Sequence, residues 1–178
     1  MRIIAGMRRG MKLKAPEGMG TRPTTDRVKE SVFNLIQFYF PTDDVLDLFA
    51  GSGALGIEAL SRGAKHCVFL DIDRNAIALV QENLHSARFE DEATVLQQTA
   101  EAYLAQCHQA FDVIFLDPPY NKGLLLPVIK TIHERNLLKE NGIIVIETEC
   151  GGESVPDTYY PIKKAVVYGK TAITILQG

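Results

Sequence analysis

The sequence predicts a doubly wound α/β fold: a mostly parallel sheet of seven strands with an antiparallel hairpin at one edge. Three observations predict it. Five short, continuously apolar runs between residues 45 and 147 alternate with stretches of helical spacing. Such runs are what a parallel sheet covered on both faces requires. A glycine-rich turn follows the first run and opens a helix. Near the end, KKAVVYGKTAITIL carries two strand-like runs split at Tyr168–Gly169–Lys170, the pattern of a hairpin.

The elements follow in order. Residues 3–5 and 11–13 flank MRRG and can form a short hairpin. APEGMGTRP, rich in Gly and Pro, reads as loop. A helix follows, capped by Thr24, Thr25 or Asp26, with Val28, Val32, Leu35, Ile36 and Tyr39 at helical spacing and Pro41 as its stop. Strands are expected at 45–49, 67–70, 93–97, 113–116 and 143–147. The helices between them are expected at 56–62, closed by Gly63, then at 75–86, 100–107 and 124–134.

At 178 residues the chain suits one domain with a small appendage. The expected division is a basic extension, 1–24, on a main domain, 25–178. No apolar run approaches the ~20 residues of a membrane span, and the opening MRIIAGMRRG lacks the pattern of a signal peptide. Cys67, Cys107 and Cys150 lie far apart, as unpaired thiols of a reducing cytoplasm would. The four histidines lack ligand spacing, so no metal is expected, and the expected state is a monomer. The net charge of −3 hides an asymmetry. Residues 1–29 hold eight basic and two acidic side chains, net +6, which leaves −9 for the rest. A basic arm on an acidic body suits a polyanion met by one face.

In VLDLFAGSGALGIEAL, Gly51, Gly53 and Gly56 fit the spacing GxGxxG between a strand and a helix. Asp71 stands twenty residues after Gly51, at the end of the second strand, where an acid can accept from ribose hydroxyls. Asp73 is a second candidate. Together they predict a nucleoside-binding site. Asp47, four residues before the first glycine, argues against a pyrophosphate, which it would repel. It suits a ligand with a cationic end, and S-adenosylmethionine (SAM) is such a nucleoside.

The fourth strand ends in Asp117–Pro118–Pro119–Tyr120. Ligands of open α/β sheets gather beyond the carboxyl ends of the strands, so this turn is expected beside the glycine loop. An exocyclic amine on a base is a poor nucleophile. The Asp117 carboxylate and the Pro118 carbonyl can each accept one of its N–H bonds and aim its lone pair at a methyl donor. Tyr120 offers a face on which a flipped-out base can stack.

These residues resemble the class I, Rossmann-like SAM-dependent methyltransferases with a [D/N]PPY motif. The ordered set RIIAG, RRGMKLKAPEG, TRPTTDRVKESVFN, LDLFAGSGALGIEALSRGA and LDPPY resembles the RsmD family across nearly the whole chain. The resemblance implies methyl transfer from SAM to N2 of one guanine in 16S rRNA. It also implies that the substrate is an assembled or partly assembled small ribosomal subunit. It assigns Asp47, Gly51, Gly53 and Gly56 to SAM, Asp71 to its ribose, and Asp117, Pro118 and Tyr120 to the target base. Phe49 and Ile72 complete the expected cofactor set. Many SAM enzymes carry an adenine-contacting acid after the third strand; here the stretch reads Gln97–Gln98–Thr99–Ala100, which leaves Thr99 or the Ala100 backbone. Arg8, Arg9, Lys12, Arg22 and Arg27 are the candidate phosphate contacts. Alternatives are an adenine-N6 enzyme, a protein-glutamine methyltransferase, a nicotinamide-dependent dehydrogenase and a silent RNA-binding protein on the same fold.

Overall fold

The structure, a computed structural model, describes residues 1–16, 26–119 and 122–178. One sheet carries seven strands: β1 (Asp44–Asp47), β2 (His66–Asp71), β3 (Ala93–Gln97), β4 (Phe111–Leu116), β5 (Leu138–Glu149), β6 (Ile162–Tyr168) and β7 (Thr171–Gln177). Their spatial order is β3-β2-β1-β4-β5-β7-β6. β1 to β5 pair in parallel, and β7 pairs antiparallel with β5 and β6. The doubly wound sheet and its edge hairpin are as the sequence predicts. Strand order reverses between β1 and β4, which opens a crevice at their carboxyl ends.

Helices cover both faces. The helix α1 (Asp26–Leu35) buries Val28, Val32 and Phe33. With α2 (Ala54–Ser61) and α3 (Arg74–Ala87) it packs on the face that presents Val45, Phe115 and Val145. The helices α4 (Ala100–Gln106) and α5 (Leu125–Glu134) pack on the face of Leu46, Ile114 and Ile144. Every residue of α2 is buried. A helix buried all round needs a second cover, and the N-terminus supplies it.

Residues 1–13 form the expected hairpin around an Arg2–Lys12 bridge. Ile3 and Leu13 are buried within the main core. Gly6 lies so close to α2 that a Cβ there would stand 1.7 Å from the Ser61 carbonyl oxygen. Glu58 of α2, fully buried, fastens this layer. Its carboxylate accepts from the Ile4 and Ala5 amides at 2.8 and 3.0 Å. It also meets Lys29 Nζ at 3.2 Å and Arg62 Nε at 2.9 Å. Lys29 donates in addition to the Arg2 carbonyl at 2.6 Å. Burial holds the Lys29 ammonium below its usual pKa, against the upward pull of Glu58.

Some boundaries differ from expectation. α1 ends at Leu35, and a 3-10 turn (Gln37–Tyr39) replaces its predicted last turn. The turn leaves Phe38 exposed while Ile36 is buried. The strand β1 stops at Asp47, two residues early, because the chain turns there into the glycine loop. β5 begins five residues early and is bent where Asn141 takes a positive φ of 62°.

Candidate active site

The site forms where β1, β2 and β4 end. Gly51 and Gly53 take φ of 55° and 77°, values open to glycine. Among the described residues, its chain neighbours aside, no atom lies within 4 Å of a Cβ built on Gly51, so a ligand can approach the backbone there. Gly56 serves packing: a Cβ would lie 2.2 Å from the Phe69 ring. Behind the loop, Asn83 of α3 donates to the Ser52 carbonyl at 2.9 Å and exchanges hydrogen bonds with the Lys14 backbone at 2.8 and 3.0 Å. It thus joins the glycine loop to the N-terminal segment.

Asp47 is 1% exposed. Its Oδ2 accepts from the Gly56 amide at 3.2 Å, while Oδ1 has no hydrogen-bond partner among the described residues. Burial first, and also the charge of Asp71, push its carboxyl up to about 7, against the opposing pull of the Gly56 and Phe49 amides. Asp71 accepts from the Gly51 amide at 2.9 Å and the Asp73 amide at 2.9 Å. It braces the loop and still borders the cleft. Asp73, the second acid read as a ribose candidate, caps α3 by accepting from the Asn75 amide at 2.8 Å. Thr99 caps α4 through the Ala102 amide at 3.1 Å.

A cleft of about 1220 Å³ runs along these strand ends. That volume exceeds the usual range for a single small ligand. One wall holds Asp47, Phe49 and Gly51; another holds Asp71, Ile72, Thr99 and Ala100. Ile72, 66% exposed, offers an apolar surface there. Asp117 and Pro118 close the cleft from β4. Asp117 is half-buried. Burial, then Glu147, then Asp47 push its carboxyl well above the usual carboxylate range. Gly53 and Gly56 stand behind the cleft. Tyr120 and Arg22 lie outside the described residues.

This chemistry fits a ligand with a positive end and no phosphate. An unpaired buried carboxylate oxygen lacks a donor, and two carboxyls that resist ionisation gain from a nearby cation. The ammonium and sulfonium of SAM meet both needs. A pyrophosphate meets neither.

The basic candidates separate into two groups. Arg9, Lys12 and Arg27 are exposed and form no ion pair among the described residues. Arg8 is half-buried: its Nε donates to the Ala87 carbonyl at 2.7 Å and its guanidinium sits over Phe89. Of the other positive charges counted in the arm, Lys29 is fully buried, Arg2 pairs with Asp26 and Lys14 with Glu82. Glu58, Asn83 and Glu147 were not legible as site residues. Only Asn83 left a trace, as a polar residue within the apolar stripe of Val80, Leu84 and Ala87.

Comparison with known proteins places the chain. The family model described as Conserved hypothetical protein 95 matches residues 1–177. The protein named Ribosomal RNA small subunit methyltransferase D in Haemophilus influenzae is 44% identical, over 84% of this chain and 79% of its own. Its namesake in Escherichia coli K12 is 36% identical over 99% and 89%. Among solved structures, the yhhF protein of Escherichia coli superposes with a TM-score of 0.86 at 36% identity, over 99% of this chain and 97% of its own.

Proposed function

The chain belongs to the RsmD family, whose model carries the description Conserved hypothetical protein 95, and we propose that it methylates N2 of one guanine in 16S rRNA. S-adenosylmethionine is the methyl donor, and the substrate is the assembled or partly assembled small ribosomal subunit in the cytoplasm. The observation that carries this reading is the pairing of a phosphate-averse nucleoside cleft with Asp117–Pro118 at the reversal of strand order. The relatives named for methylation of small-subunit rRNA support the choice of RNA.

When bound, SAM supplies an electrophilic methyl on sulfur. Asp47, the Gly51 backbone and Asp71 would hold it, Asp47 Oδ1 as acceptor for its ammonium group, Gly51 against its aminoacyl end and Asp71 as acceptor for its ribose. Ile72 would pack on the adenine, with Thr99 or the Ala100 backbone left to meet its amino group. Asp117 and the Pro118 carbonyl each accept one N–H of the guanine amine. Its lone pair is thereby turned toward the methyl, and charge growing on nitrogen is stabilised. Tyr120 stacks on the flipped base. Arg8, Arg9, Lys12, Arg22 and Arg27 contact phosphates; of these, Arg9, Lys12 and Arg27 have free heads in the described structure.

The test is transfer of labelled methyl from SAM to three substrates: undermethylated small subunits, protein-free rRNA and duplex DNA. Label recovered as N2-methylguanine in the subunit, and lost in Asp117→Ala, is the expected result. Label recovered as N6-methyladenine would keep the site and overturn the substrate.

A further inference from the structure

The proposed mechanism gives no role to Glu147, a buried acid of this region, 8% exposed and two residues before the end of β5. Strand register fixes its neighbours. Leu116, the last residue of β4, pairs with Ile146 of β5, and Asp117 and Glu147 are the residues that follow, where the chains leave this pairing ~4.8 Å apart. Phe115 pairs with Asp47 on one side and Val145 on the other. Residues two apart share a face of the sheet. Asp47 of β1 and Glu147 of β5 therefore stand on the same face, and Asp117, the first residue after β4, lies between their strands, within reach of both charges.

We propose that Glu147 is a positioning residue that makes Asp117 the acceptor of the proton leaving the methylated amine. This rests on the reading above. Asp117 Oδ takes that proton as the new N–C bond forms and the S–C bond breaks, its electron pair passing to sulfur. A proton on Asp117 then stands in place of the sulfonium charge lost in the step. With Glu147 on one side and Asp47 on the other, Asp117 binds that proton more tightly than an isolated carboxylate, in line with the upward push both acids exert on it.

Among the described residues, the other charges around Asp117 do not offset this. Across the cleft are Asp71, Asp73 and Glu101, together with Lys14, which is engaged by Glu82. On the α1–α2 side, Lys29 and Arg62 are engaged by Glu58. Beyond Pro119 stand Glu149 and Glu153.

The test counts protons on ligand binding, by calorimetry of the full chain in two buffers of different ionisation enthalpy near neutral pH. Both SAM and S-adenosylhomocysteine carry the ammonium that faces Asp47; SAM alone carries the sulfonium. The proposal expects SAM to release about one proton more than S-adenosylhomocysteine. Glu147→Gln should reduce that difference to a fraction and move the acid limb of the kcat profile down by about one pH unit. Glu147→Asp, which keeps the charge, should preserve the proton count if the Gln variant does not fold. Asp117→Asn should abolish the difference. An unchanged proton count and acid limb in Glu147→Gln, or a difference that survives Asp117→Asn, overturns the proposal. Failure of either compound to bind the wild-type chain overturns the proposed function itself.

Discussion

Once ionised, Asp47 opposes stability in the free protein; in the proposed function it serves the cleft when SAM fills it. A rise from 3.8 to about 7 in its carboxyl corresponds to about 4 kcal/mol. The sign follows from proton binding. Between these values the folded state holds a proton that the unfolded state has lost, so stability is full below the unfolded pKa and falls as pH rises toward 7. Of that loss, about 3 kcal/mol falls between pH 5 and pH 8. In Asp47→Asn the amide oxygen can still accept from Gly56, while its NH2 replaces the unpaired oxygen at a cost of about 1–3 kcal/mol at every pH. The variant should therefore be less stable than wild type near pH 5 and equal to it or more stable near pH 8. It should also bind SAM at least tenfold more weakly, because a charge-assisted hydrogen bond worth about 1.5–3 kcal/mol is lost. Urea unfolding at both pH values, with and without SAM, measures all of this. Asp117 is raised in the same direction and remains in the variant, so a residual slope is expected. A variant whose pH dependence parallels wild type, or whose SAM affinity is intact, would refute the reasoning.

Asp117→Ala should cut methyl transfer about 100- to 1000-fold, while SAM continues to raise the melting temperature; a loss of that thermal shift would place Asp117 in cofactor binding instead. Glu58→Gln leaves the Lys29 charge buried without its counterion and should cost about 3–5 kcal/mol by chemical denaturation. An effect below about 1 kcal/mol would mean that water reaches the cluster. Charge reversal of Arg9 and Lys12 together should weaken RNA binding and flatten its salt dependence, with SAM affinity unchanged by calorimetry; an equal loss of both would point to a structural role.

What could be read from the sequence was set by local pattern. β1 to β4 announce themselves as apolar runs between turn residues, and Asp47 and Asp117 stand out because an acid at the end of a buried strand is anomalous. Pairings between distant residues left no such mark. Lys29 reads as one more charge of a basic arm; its partner Glu58 lies 29 positions away, and the contact that buries both exists only after α1 and α2 pack. Glu147 gains meaning only through the register of β5 against β4. Asp73 has a second task that its spacing from the glycine loop did not announce: it borders the cleft and also caps α3 through the Asn75 amide.

The N-terminal hairpin, held to α2 through Glu58, Ser61 and Gly6, carries Arg9 and Lys12 on a base that cannot bend away from the body. Charges on a loose tail adapt to any strand and lose their freedom on contact; charges on a fixed base lose little. If these charges meet RNA phosphates as proposed, such a base works as a gauge. It favours an RNA whose phosphates are already spaced to match, and it penalises a chain that must first be drawn into shape. Folded rRNA would satisfy it, and an unstructured strand of the same sequence would not.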